Sequence, residues 1–124
     1  ARSLADAGIN MRALMVADTA EFGVARVICD TPHAAKERLE AEGYGVSLTS
    51  VIAVEIPDRP GGLADVLETL SKASVNVEYA YAFVEPGADA AVDILKADDA
   101  RAATVLEQAG MRVIGADKLY ERDV

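Results

Sequence analysis

The 124-residue chain is poor in three residue classes: it has one cysteine, one histidine, and 12 lysines and arginines against 21 aspartates and glutamates. Each shortage excludes a class of function. A lone Cys29 rules out an internal disulfide framework and a thiolate-clustered metal site. A lone His33 rules out an imidazole cluster, so no metal and no cofactor is expected. The net charge of −9 at pH 7 repels phosphate backbones and anionic bilayers, so neither nucleic acid nor a membrane is an expected partner. No apolar run reaches the roughly eighteen residues that a membrane span requires. The first residues, Ala-Arg-Ser-Leu-Ala-Asp, lack the apolar centre of a secretory signal, and the expected location is cytoplasmic. What is present is 52% apolar and 27% charged, the composition of an ordinary globular chain of one average domain or two very small ones.

The chain repeats itself. Leu4-Ala-Asp-Ala-Gly-Ile-Asn-Met aligns with Leu70-Ser-Lys-Ala-Ser-Val-Asn-Val at an offset of 66. Arg26-Val-Ile aligns with Asp93-Ile-Leu, and Gly43-Tyr-Gly-Val with Gly110-Met-Arg-Val, at an offset of 67. The order of apolar, glycine and asparagine positions is kept although identity is low.

The second copy reads as six elements. Val51–Ile56 is a short β-branched run typical of a buried strand, broken by Pro57-Asp-Arg-Pro-Gly-Gly62. Leu63, Val66, Leu67 and Leu70 follow at i, i+3, i+4 and i+7, an amphipathic helix. Val75, Val77, Tyr79, Tyr81 and Phe83 then alternate with smaller or polar residues as a strand. Ala90–Leu95 pairs back as a hairpin, Asp98 and Asp99 offer an N-cap to a helix that Gly110 ends, and Arg112–Ile114 is the last strand. The order β-α-β-β-α-β is the split-βαβ, ferredoxin-like plan of the α+β class.

The first copy supplies the same elements from a later starting point. Residues 1–7 match only the second half of the first helix; Ile9–Val16, Phe22–Cys29 and Val46–Leu48 are strands two to four, and Thr31-Pro32 starts a helix that ends at Gly43. Counterparts of residues 51–66 do not occur. Strand one is central in this topology, so strand four would lack a partner. A preceding segment of about twenty residues is the expectation. The repeats are therefore 1–48, incomplete in its first strand and helix start, and 49–124.

Three features in register resemble the ACT domain family: the loop Asp58-Arg-Pro-Gly-Gly-Leu63, the strand entries Ala73-Ser-Val-Asn-Val77 and Ala7-Gly-Ile-Asn-Met11, and a repeat near seventy residues. The resemblance covers nearly the whole chain. It implies two ferredoxin-like βαββαβ repeats side by side, a non-catalytic regulatory role, a free amino acid as ligand, a homodimer and a metabolic enzyme as the regulated partner. It also implies that ligands lie where the glycine loop of one module faces the second-strand entry of another. Carried over, the ligand residues are Asp58, Arg59, Gly61, Gly62, Leu63, Asn10 and Met11, with Arg12 beside them, and Asn76 and Val77 for the pseudo-symmetric twin.

The chemistry of those residues agrees. Small residues at a helix start leave backbone N–H groups open to a carboxylate, and Asp58 is placed to receive an ammonium. Asn10 and Asn76 each carry a donor and an acceptor. Met11 and Leu63 would offer an apolar wall. Blander alternatives stand beside these: Asp58 as a helix cap, the glycines as a turn, the asparagines as local backbone partners. His33 reads as a surface residue, Cys29 as a small core residue, and the Tyr79-Tyr81-Phe83 stripe as packing. The second strands, Ile9–Val16 and Val75–Phe83, are expected to pair edge to edge, and the tail at 116–120 to be extended and docked. Three rival functions are weighed. An acylphosphatase-type hydrolase would use Arg59 but lacks a surrounding catalytic set. An RNA-binding module would need aromatics and bases where Ala90-Ala-Val-Asp-Ile-Leu95 has neither. A pure protein-interaction module has no distinguishing sequence feature.

Overall fold

The computed structural model describes residues 1–18, 23–84 and 90–115; the tail at 116–120 lies outside them. The elements in chain order are α1 (Arg2–Asp6), β1 (Met11–Asp18), β2 (Gly23–Cys29), α2 (Pro32–Ala41), β3 (Ile52–Pro57), α3 (Gly62–Lys72), β4 (Val77–Val84), β5 (Ala90–Ala97), α4 (Ala102–Gln108) and β6 (Arg112–Ile114). They fall into two compact units that divide between Thr49 and Ser50.

The second unit is a four-stranded antiparallel sheet in the order β4-β5-β3-β6. β3 is central, as the ferredoxin-like plan requires. Alternate residues of β3 and β5, Val54 and Ile56, Ala91 and Leu95, meet Val66 and Leu70 of α3 and Ala102 and Leu106 of α4 in one core. Burying each such Leu or Val contributes about 1.5–3 kcal/mol. Of the expected apolar stripe of α3, only Val66 and Leu70 are inside; Leu63 and Leu67 are exposed.

The first unit is smaller. β1 and β2 form a two-stranded antiparallel sheet, and its core is Leu4, Ile9, Cys29 and Ala35, with Met11, Val27 and Leu39 packed against it. The expected strand at Val46–Leu48 is not formed. Its counterpart β6 is held by β3, pairing Val113 with Val54. The first unit has no strand in the β3 position among the described residues, so 46–48 has no ladder to join.

The duplication extends to single hydrogen bonds. Ile9 N–H donates to the Leu4 carbonyl and Val75 N–H to the Leu70 carbonyl, both at 2.9 Å. Tyr44 N–H to Leu39 and Met111 N–H to Leu106 close the later helices at 3.1 and 3.0 Å. Each second strand carries a register shift at the same place, between Met11 and Ala13 and between Val77 and Tyr79. Met15 faces Arg26 as Tyr81 faces Ile94, so Arg26 corresponds to Ile94 and not to Asp93. The hairpin inserts two residues and the following helix removes one, which restores the 67-residue offset at Gly43 and Gly110.

The shift at Glu78 also reverses the faces of β4. Val77 pairs with Ala97 on the core side, but beyond the bulge Ala80 and Ala82 pair with Leu95 and Asp93 on that side. Tyr79, Tyr81 and Phe83 pair with Lys96, Ile94 and Val92 on the other. Ala53, which pairs with Ile94, therefore shares its face with the tyrosines and not with Ala80 and Ala82. The rings of Tyr79 and Tyr81 are stacked, with centroids 6.4 Å apart.

Candidate functional site

The loop between β3 and α3 is built by its two glycines. Gly61 caps the helix at φ +90°, a left-handed conformation that side chains disfavour. Gly62 is buried, and a Cβ there would collide with the Pro57 carbonyl. Arg59 N–H donates to that carbonyl at 2.9 Å, and Gly62 N–H donates back to the Arg59 carbonyl at 3.1 Å. Gly62 N–H is thus consumed in closing the turn and is not open to an anion. The first helical hydrogen bond, Asp65 N–H to the Gly61 carbonyl at 2.9 Å, leaves Leu63 and Ala64 N–H without an acceptor among the described residues. Gly61 N–H likewise has no acceptor among the described residues, so the loop offers Gly61, Leu63 and Ala64 as donors.

Asp58 does not cap the helix: α3 has Gly61 as N-cap and no side-chain cap bond. Its exposed carboxylate has no partner among the described residues. Arg59 folds over the loop, Nη1 donating to the Pro60 carbonyl at 3.1 Å and Nη2 pairing with Asp65 Oδ2 at 3.0 Å. Arg59 and Asp65 line a cleft of about 480 Å3 with Glu55, Ile56, Pro57, Gly62, Val66, Ala90, Gly110, Met111 and Arg112. Arg112 pairs with Glu55 at 3.4 Å. The cleft thus offers two guanidiniums and two carboxylates beside the apolar side chains of Ile56, Val66 and Met111.

The two asparagines occupy equivalent settings. Asn10 N–H donates to Asp30 Oδ1 at 3.3 Å, while Asp30 N–H donates to the Asn10 carbonyl at 3.2 Å. Asn76 and Asp98 form the same reciprocal clasp, both bonds at 3.1 Å. The clasp fixes each asparagine backbone at its strand entry and leaves the side-chain amide exposed. Asp98 is therefore not the N-cap expected of it. Asp99 is not one either: it holds Arg101, accepting its backbone N–H at 2.8 Å and its guanidinium at 2.7 Å. Those bonds keep Asp99 ionised below the usual carboxylate range. Met11 and Val77 pack against the cores of their own units, so the apolar wall expected of Met11 is turned inward.

Asp30, Asp65, Glu55 and Arg112 were not among the expected site residues. The signal for the first was present: Asp30-Thr31 and Asp98-Asp99 sit at the same point of both repeats. Cys29 is buried, and burial pushes its thiol upward, as suits an inert core residue. His33 is exposed on α2. No group of three or more potential metal ligands gathers among the described residues. The guanidinium of Arg59 is held by Asp65 and the Pro60 carbonyl. No helix among the described residues is long and apolar enough to cross a membrane.

Residues 2–121 match the family described as an ACT domain pair. The chain belongs to that family. The match assigns this ACT pair a regulatory, small-molecule-binding role at the family level. The crystal structure of protein BT0572 from Bacteroides thetaiotaomicron is similar at a TM-score of 0.90 and 31% identity, covering 97% of this chain and 83% of that one. An aspartate kinase from Synechocystis matches over 91% of this chain and 24% of its own, at 20% identity and a TM-score of 0.40. No curated protein sequence matches the ACT pair.

Proposed function

We propose that this ACT pair is a non-catalytic, cytoplasmic sensor of a free α-amino acid. The observation that carries the reading is the loop of the second unit. Three N–H groups at a helix start, those of Gly61, Leu63 and Ala64, stand within a few residues of chain of the Arg59 guanidinium and of Asp58, whose carboxylate has no partner among the described residues. The α-carboxylate binds Leu63 and Ala64 N–H with Arg59, and the helix dipole adds to the attraction. The ammonium binds Asp58, and the exposed amides of Asn10 and Asn76, each clasped at the strand entry of its own unit, are further proposed ligand groups. Gly61 and Gly62 shape the loop, exposed Leu63 is offered to the ligand as an apolar contact, and Met11 and Val77 hold the strand entries through their cores. Occupancy alters how a homodimer of the protein presents itself to a metabolic enzyme.

The test is calorimetric titration of the twenty free L-amino acids onto the parent, Asn10→Ala and Asn76→Ala. One lost charge-assisted hydrogen bond costs about 1.5–3 kcal/mol, roughly ten- to a hundredfold in affinity. At least one amino acid should bind the parent, and one of the two alanine variants should bind it weaker by that factor. A parent that releases no heat with any of the twenty fits a pure interaction module and refutes the sensor. Gly62→Val is a poor blocking variant, because the added side chain strikes the Pro57 carbonyl and disturbs the loop itself.

A further inference from the structure

The loop of the second unit already holds a carboxylate of its own. Asp65 lies in the first turn of α3, and its Oδ2 sits 3.0 Å from Arg59 Nη2. The guanidinium is drawn down onto the glycine turn, so that a Cβ added at Gly61 would lie 3.4 Å from Arg59 Nη1. Both side chains are about half exposed, at 55% and 54%. Both line the 480 Å3 cleft, whose size falls in the range of about 300–1,000 Å3 usual for small-molecule sites.

We infer that Asp65 is an internal competitor for Arg59, and that its exchange with an incoming carboxylate sets the affinity of the site. The inference rests on the amino-acid reading above. An exposed ion pair is weak, worth about 0.2–1 kcal/mol, because water screens it and two side chains must be held in place. On this inference a ligand carboxylate replaces one screened contact of Arg59 with another, and gains over Asp65 through the Leu63 and Ala64 N–H groups of the same turn, which have no acceptor among the described residues. The exchange therefore favours the ligand, but only by the margin that Asp65 allows. The freed Asp65 carboxylate stays at the cleft wall, where it favours a ligand bearing an ammonium over a bare anion. The chemical class selected is a zwitterion, with the carboxylate directed to Arg59.

The experiment titrates the twenty free L-amino acids, and acetate as the bare carboxylate, onto the full chain and its variants. Asp65→Asn and Asp65→Ser remove the competitor, and Glu68→Gln removes an equal charge one turn further along α3. Thermal unfolding of each variant checks that it is folded, with Asp65→Ser standing in if the amide does not fold. Both Asp65 variants should bind the amino acid about two- to fivefold tighter than the parent, the factor that matches the weak pair. Acetate should gain at least as much, and Glu68→Gln should bind like the parent. Equal or weaker amino-acid binding by the Asp65 variants overturns the competitor while the sensor stands. An equal gain in Glu68→Gln also overturns it, since the effect would then be general charge. If none of the proteins binds any of the twenty, the sensor reading falls and the competitor with it.

Discussion

Asp93 is the one charged residue among the described positions of the second unit that is buried without a partner. It is 2% exposed on central strand β5, and its Oδ2 accepts no hydrogen bond. Burial disfavours the ionised form and pushes its pKa from 3.8 up to about 6. The folded state therefore keeps a proton that the unfolded state releases. The penalty is absent below about pH 4, grows as pH rises, and is complete above about pH 6, at roughly 3 kcal/mol. Asp93→Asn should match the parent in urea unfolding at pH 4 and exceed its stability by about 2–3 kcal/mol at pH 7.5. A constant difference across that range would refute the assignment. Ser74 is the other residue in an unfavourable state, at φ +58°, where its counterpart Gly8 has φ +72°. Ser74→Gly relieves a left-handed side chain and loses some backbone restriction, a net gain of about 0.5–1 kcal/mol. Urea unfolding at constant pH measures it.

At the scale of elements, periodicity made α3, β3 and β4 legible, because Val54, Ile56, Val66, Leu70 and Val75 recur at the spacing that one core demands. The loop was legible too, since two adjacent glycines after a strand leave few alternatives. Three things were not. The bulge at Glu78 has no composition signal, yet it moves Ala80 and Ala82 to the helix side. The Asn–Asp clasps join residues twenty or more apart, beyond the reach of local patterns. The strand at Val46–Leu48 has β-like composition, but a ladder needs a neighbour and the first unit supplies none among its described residues. A direct consequence follows for amide exchange. Residues 112–114, paired to β3, should be protected, and residues 45–47, their counterparts, should exchange at close to the rate of an unfolded chain. Equal protection at both places would contradict the topology.

For the whole molecule, one ancestral module has been used twice and spent differently. The second unit keeps the full sheet and a nine-residue core, and the first holds four buried apolar residues around a hairpin. Both retain the clasped asparagine, although only the second carries a glycine loop among the described residues. The −9 charge opposes any anion that approaches. A carboxylate ligand would therefore depend on local cations and backbone donors, the part the proposed site gives to Arg59, Leu63 and Ala64. The most direct measurement is amide chemical-shift mapping of the nitrogen-15-labelled protein during titration with the tightest-binding amino acid. The Leu63 and Ala64 amides should show the largest downfield shifts, with smaller changes at Arg59 and at the Asn10 or Asn76 side chain. Shifts that leave Leu63 and Ala64 unmoved while other amides respond would contradict the account.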